Sequence, residues 1–368
     1  MRRVSKWTGG KRSVAMVPLV LAATMAAALA TSCVQPPGVS SFSSGEVVVQ
    51  PWESKNSTER GRWYYAETPG AVCANGTPTG MGLNVGASQR DVVVYLSGGG
   101  ACWDTASCSY FQTAANLDVT YDASQLGEEL YPLVDAGLFD RRAGVNPWRR
   151  ASYVYIPYCT ADLHTGRTTT SYRRFGIGSV IHHRGAENME NHLEVLADLF
   201  TEVERIWLVG ISAGGYGAAW HFEHIRQVFP GAEVHLFSDA APWLPLENGR
   251  WETWQESWAP EPPPGCQRCG ETPHYLPTYL AKTYPDSRFA MSVYGRDPVL
   301  SAYLGELPRS VDESIDTFVD QRFSYDNTRA FVASGMEHEV LLNLDDDVRS
   351  DDGDQLAYFM WRWVMGWD

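Results

Sequence analysis

The stretch Gly210-Ile211-Ser212-Ala213-Gly214 places one serine between small residues in the G-x-S-x-G pattern. An apolar run, residues 206–209, precedes it, and a helix-compatible stretch, 216–228, follows. That context is what a nucleophile elbow needs, because a tight strand-to-helix turn holds a serine oxygen clear of the sheet. Ser212 is therefore the expected nucleophile of a serine hydrolase. The plainer alternative is a small-residue loop joining a strand to a helix.

A serine hydroxyl reacts at neutral pH only when a base takes its proton and a third group orients that base. Where a serine stands in such an elbow, the acid and then the histidine follow it in the chain. Two residues stand in that order, each just past a strand-like run. Asp297 follows residues 289–294, and His338 follows 330–333. The other eight histidines fit less well. His182 and His183 read as a helix entry ahead of Ser212, His192, His221 and His224 lie on helical stretches, and His235 is in mid-strand. His164 and His274 also stand apart from a late strand end. Asp239, in Phe237-Ser238-Asp239-Ala240, is a second candidate acid and could equally cap a turn. Acyl transfer also needs N–H donors aimed at the developing oxyanion. Ala213, just after the nucleophile, offers one. The loop Ser97-Gly98-Gly99-Gly100-Ala101-Cys102 offers the other from the Gly99–Gly100 region. A phosphate cradle is the competing reading of that loop, but no Lys-Ser/Thr pair follows it.

These residues require a scaffold that brings strand ends to one edge. From residue 91 the chain alternates strand-like runs (92–96, 153–156, 206–209, 233–237, 289–294, 330–333) with helical spacing at 185–200, 213–228, 275–284 and 356–365. Such interleaving predicts an α/β fold with a mostly parallel central sheet flanked by helices and its working residues at the carboxyl ends of strands. Residues 242–275, rich in Pro and Trp, read as an irregular lid or insertion.

Composition bounds the rest. The 368 residues are 44% hydrophobic, with 14 Trp and 18 Tyr, enough for one large domain, expected over 61–368. A formal charge of −15 disfavours nucleic acid as a partner. Residues 1–32 carry a basic start, an Ala-rich apolar segment and small residues before Cys33, the pattern of a lipoprotein-type signal peptide with Cys33 as the lipidated mature N-terminus. Removing them deletes five basic residues and no acidic ones, which carries the formal charge from −15 to −20. Residues 33–60 read as a flexible tether with a short edge strand at Val47-Val48-Val49. The expected location is thus the cell envelope, anchored by lipid, or outside the cell. Membrane contact would pass through the N-terminal anchor alone, and the protein is expected to be a monomer.

Six further cysteines in an exported chain suggest disulfides. Cys102 with Cys108 and Cys266 with Cys269 are close enough to pair locally, which leaves Cys73 with Cys159. Zinc at the C-x-x-C of Cys266 and Cys269 is the alternative, but it lacks a second ligand pair. No metal or cofactor is expected.

At this point the chain resembles the pectin acetylesterase and Notum-like carboxylesterase family. The matching stretches are Cys73-Ala74-Asn75-Gly76-Thr77-Pro78, Tyr95-Leu96-Ser97-Gly98-Gly99-Gly100-Ala101-Cys102, Val154-Tyr155-Ile156-Pro157-Tyr158-Cys159-Thr160-Ala161-Asp162, Gly210 to Gly217, Ser238-Asp239-Ala240 and His338-Glu339-Val340. The resemblance implies an α/β-hydrolase carboxylesterase with Ser212, Asp297 and His338 as triad and with oxyanion donors at Gly99, Gly100 and Ala213. It also implies Cys73–Cys159 and Cys102–Cys108 disulfides, and a structural or near-site Asp239. The ester would be an acyl ester, acetyl in the first instance, carried by a polysaccharide such as pectin. The chain departs from the family at Ser97, where Glu is usual, and at Gly100-Ala101, where a Trp is usual. A lipase- or peptidase-type serine hydrolase, or a non-catalytic carbohydrate-binding surface lipoprotein on the same scaffold, are the alternatives.

Overall fold

The computed structural model describes residues 47, 49–53, 58–173, 178–305, 307–344 and 346–367. The signal peptide and Cys33 expectations fall outside the described residues. In chain order the strands are β1 (Gln50–Pro51), β2 (Trp63–Val72), β3 (Pro78–Asn84), β4 (Asp91–Leu96), β5 (Ser152–Ile156), β6 (Thr168–Ser171), β7 (Val180–His183), β8 (Arg205–Ile211), β9 (Glu233–Asp239), β10 (Phe289–Tyr294) and β11 (Thr328–Ala333). The α-helices are α1 (Ala123–Leu130), α2 (Gly185–Leu199), α3 (Ala213–Val228), α4 (Arg250–Trp258), α5 (Gln267–Glu271), α6 (Leu276–Thr283), α7 (Pro298–Leu304), α8 (Pro308–Arg322) and α9 (Leu356–Met365).

Nine strands form one sheet in the order β1-β2-β3-β5-β4-β8-β9-β10-β11. From β5 to β11 every neighbouring pair is parallel, whereas β3 is antiparallel to both β2 and β5. The fold is that of an α/β hydrolase. The apolar runs explain the parallel part. Val92, Val94, Leu96, Ile206 and Leu208 pack into one core with α2, α3 and α6. Their neighbours Val93, Tyr95, Trp207 and Val209 pack into a second core with α1 and α9. Successive side chains point to opposite faces of a strand. A strand that is apolar at successive positions therefore needs helices on both faces, and parallel strands, joined by helical crossovers, receive them.

Three parts differ from the sequence expectation. The sheet extends on its amino-terminal side through β2 and β3, ahead of residue 91. β3 carries Pro78, Gly80 and Gly82, all poor strand formers, so no periodic signal marks it. Within the stretch read as a tether, Gln50 and Pro51 pair with Tyr64 and Tyr65, one step beyond the valines expected there, while Val47 and Val49 pack against the second core. Residues 242–275 are not irregular throughout, since they contain α4 and α5. Trp251, Trp254 and Trp258 recur at helical spacing and are buried on one face of α4, and the prolines at 260 and 262–264 lie after the helix rather than in it. Likewise His182 and His183 end β7 instead of opening a helix.

Three disulfides brace the loops: Cys73–Cys159, Cys102–Cys108 and Cys266–Cys269. The last joins the two sulfurs that zinc would have used. No helix among the described residues is long and apolar enough to cross a membrane.

Candidate active site

Ser212 stands between β8 and α3 with φ 53° and ψ −123°, a backbone conformation that a non-glycine residue holds only under constraint. The constraint is close backbone approach. A Cβ at Gly210 would sit 2.1 Å from the carbonyl oxygen of Gly214, and one at Gly214 would sit 2.0 Å from that of Leu96. Both glycines of the motif are thus required by packing. The turn is pinned further by the Ser212 N–H, which donates to the Asp239 carbonyl at 2.8 Å.

Asp297 ends the turn after β10 and caps α7. Its Oδ1 accepts from the N–H groups of Val299 (2.8 Å) and Leu300 (3.0 Å), which fixes the carboxylate. Its Oδ2 lies 2.6 Å from His338 Nδ1. His338, in the loop after β11, reaches Ser212 Oγ with Nε2 at 2.8 Å. A carboxylate can only accept, so Nδ1 carries the proton and Nε2 of the neutral ring accepts from the serine hydroxyl. Asp297 is wholly buried and Ser212 nearly so. The three side chains chosen from their order in the sequence thus form one hydrogen-bonded line.

Electrostatics separate His338 from the other histidines. Its burial disfavours the imidazolium, but the negative charges of Asp297, Glu339 and Asp239 outweigh this and carry it up to about 9. Burial instead takes His164 and His183 down to about 4, and His192, His221 and His235 to about 3. Those five are neutral packing groups at physiological pH. His192, for example, sits 2.8 Å from Thr68 Oγ1, and His221 Nε2 donates to the His164 carbonyl at 2.7 Å.

Asp239, the other candidate acid, points elsewhere. Its Oδ1 accepts from Ser292 Oγ (2.6 Å) and from the Val340 N–H (3.3 Å), and its Oδ2 accepts from the Leu341 N–H (2.9 Å). It ties β9 and β10 to the segment just after His338. Burial raises its carboxyl to about 7, against the opposing pull of Ser292 and Leu341.

The glycine loop after β4 and the start of α3 meet at Ser212. Gly100, Ala101, Ser212, Ala213 and His338 line one cleft. The Ala213 N–H belongs to the first turn of α3, where a helix cannot satisfy its own donors. The rest of the cleft is apolar: Leu163, Trp243, Leu244, Trp254, Leu300 and Tyr303. Of these the sequence marked none. Trp254 had a signal in its helical spacing with Trp251 and Trp258, whereas Leu163, Leu300 and Tyr303 come from separate parts of the chain with no shared pattern.

A family model described as pectinacetylesterase matches residues 63–258. Among curated proteins, the palmitoleoyl-protein carboxylesterase notum1' of Xenopus laevis is 28% identical over 195 residues, 50% of this chain and 36% of that protein. Pectin acetylesterase 5 of Arabidopsis thaliana is 26% identical over 187 residues, 49% of this chain and 41% of that protein. These matches span well under half the length of either relative. Among solved structures, the Wnt deacylase Notum from Drosophila covers 82% of this chain and 92% of its own, with a TM-score of 0.60 at 18% identity, a likeness of fold. The family model takes in more than half of the chain and includes both the glycine loop and the serine elbow, so the chain belongs to the pectinacetylesterase family.

Proposed function

We propose that the protein is a serine carboxylesterase that cleaves acyl esters through an acyl-enzyme. The observation that carries this reading is the line Ser212 Oγ–His338 Nε2–Asp297, with separations of 2.8 and 2.6 Å, at an apolar cleft. Ser212 Oγ attacks the ester carbonyl carbon while its proton passes to His338 Nε2. The Asp297 carboxylate holds the resulting imidazolium through Nδ1–H. N–H groups of Ala213 and of the Gly99–Gly100 region stabilise the oxyanion. Collapse breaks the ester C–O bond, and the leaving alkoxide takes the proton from Nε2. Water, deprotonated by the same nitrogen, then attacks the acyl-enzyme and releases the acid and free Ser212. Labelling by a fluorophosphonate, lost in Ser212→Ala while the melting temperature holds, tests the assignment. An unlabelled wild-type chain would favour a binding protein on a hydrolase scaffold.

The acyl group is open to two readings. The family and the Arabidopsis relative point to acetyl groups on a polysaccharide such as pectin. The cleft lining favours a longer acyl chain, because each methylene buried there is worth about 0.8 kcal/mol, roughly fourfold in kcat/KM. A series of p-nitrophenyl esters from acetate to octanoate separates them, with a maximum at acetate supporting the first reading and a rise with length the second.

The same proposal includes export, which the three disulfides favour, and lipid attachment at Cys33. Cys33→Ser would then move the protein from the membrane fraction to the soluble one.

A further inference from the structure

The glycine loop is held on its far side by a short piece of antiparallel pairing. Gly100 and Ala114 form an isolated bridge, and the Ala115 N–H donates to the Gly99 carbonyl at 2.8 Å. In a regular antiparallel pair the matching rung would run directly from the Ala101 N–H to the Thr113 carbonyl. Here the Tyr303 hydroxyl stands in that rung. It accepts from the Ala101 N–H at 3.2 Å and donates to the Thr113 carbonyl. A Cβ at Gly100, whose φ is +74°, would lie 2.1 Å from the Tyr303 oxygen and 2.4 Å from that of Thr113. The hydroxyl thus occupies the space beside Gly100 and fills that rung, while the Thr113 hydroxyl links the two segments directly by donating to the Ala101 carbonyl at 2.7 Å.

Peptide geometry converts this into direction. In a trans peptide the C=O and the following N–H point opposite ways. With the Gly99 carbonyl turned to Ala115, the Gly100 N–H turns away from that segment, and Gly100 lines the cleft beside Ser212. The next peptide is held by the Ala101 N–H on Tyr303. Both peptides around Gly100 are therefore anchored, one by backbone and one by this side chain. Tyr303 lies in α7, the helix that Asp297 caps. One seven-residue helix carries, near its two ends, the carboxylate that holds His338 and the hydroxyl that holds the glycine loop.

We propose that Tyr303 is a positioning residue of the oxyanion hole, its wedged hydroxyl aiming the Gly100 N–H at the carbonyl oxygen of the reacting ester. This rests on the esterase reading above.

The test is Tyr303→Phe, which keeps the ring that lines the cleft and lets Ala101 pair directly with Thr113. Loss of a whole oxyanion donor costs about 10²–10³ in kcat, so a misdirected one is expected to cost about 10- to 100-fold. KM for a short acyl ester should stay within about twofold, since ground-state binding does not use the oxyanion contact. A trifluoromethyl ketone supplies the decisive readout. Ser212 Oγ adds to its carbonyl, the serine proton goes to His338, and the adduct carries the oxyanion. Its affinity should fall by the same factor as kcat, whereas a merely structural loss would lower the melting temperature or the active fraction and leave the adduct affinity of the active molecules unchanged. The proposal is overturned by kcat and adduct affinity both within about twofold of wild type, or by a rise in KM with kcat unchanged. A wild-type chain that takes no fluorophosphonate overturns the esterase reading itself. A labelled wild type with an indistinguishable Tyr303→Phe overturns this proposal alone.

Discussion

Replacing Asp297 by Asn should abolish the proposed esterase activity without unfolding the protein, and the reason lies in the helix cap. The Val299 and Leu300 N–H groups both donate to Oδ1 of Asp297, at 2.8 and 3.0 Å. In Asp297→Asn they select the amide oxygen for that position, which turns the amide NH₂ toward His338 Nδ1. Two donors cannot face each other, so Nδ1 loses its proton and Nε2 gains it. Nε2 lies 2.8 Å from Ser212 Oγ and, once protonated, can no longer accept the serine proton. A wrong tautomer in such a triad costs about 10⁴ in kcat, or about 5.4 kcal/mol of barrier. The cap survives, so above about pH 9, where His338 is neutral, the melting temperature should stay close to wild type, while at lower pH the stabilisation of the charged His338 by Asp297 is lost; Asp297→Ala should forfeit about 1 kcal/mol of capping besides. Initial rates on a short p-nitrophenyl ester and the second-order rate of fluorophosphonate labelling measure the effect. Asp239→Asn is the companion variant, because Asp239 is the other acid that the sequence allows. If Asp297→Asn keeps activity within tenfold while Asp239→Asn loses four orders of magnitude, the assignment of the acid is refuted.

Asp239→Asn should lower stability by about 1–3 kcal/mol in urea unfolding, because an amide cannot accept all three of its buried hydrogen bonds; its kcat should fall far less than that of Asp297→Asn. For His338, raised from 6.5 to about 9, the folded state gains stability that is fully present below pH 6.5 and lost as pH rises through about 9. Activity has the opposite sign, since the base must be unprotonated, so kcat/KM should climb to a midpoint near 9. Glu339→Gln removes one of the raising charges and should move that midpoint down in a pH–rate profile. The Cys73–Cys159 bridge joins residues 86 apart, so replacing both cysteines by serine should cost about 4–5 kcal/mol on a chain-entropy basis. The Cys266–Cys269 bridge closes only a three-residue separation, and its loss should cost about 2 kcal/mol, both read from urea midpoints.

What the sequence by itself determined is local. Residues 92–96 of β4 and 206–209 of β8 are apolar at every position, and such runs can be satisfied only between two layers of helices; this makes the parallel sheet legible in residue type alone. Gly210 and Gly214 are dictated by backbone atoms about 2 Å from where a Cβ would go, so the elbow too leaves its mark in the sequence. The order of Ser212, Asp297 and His338 follows the order of strands. Other features are decided by tertiary structure alone. Whether Asp297 or Asp239 faces His338 depends on the groups that hold each carboxylate, and for Asp239 these come from β10 and from the segment after His338, far from it in the chain. The antiparallel β2–β3 extension rests on pairing partners rather than on its own glycine- and proline-containing residues. The apolar cleft draws on Leu163, Trp254, Leu300 and Tyr303, separated by up to 140 positions and brought together only by packing. The Tyr303 hydroxyl that accepts from the Ala101 N–H is the extreme case: a contact across 202 residues leaves no periodicity for a sequence to carry.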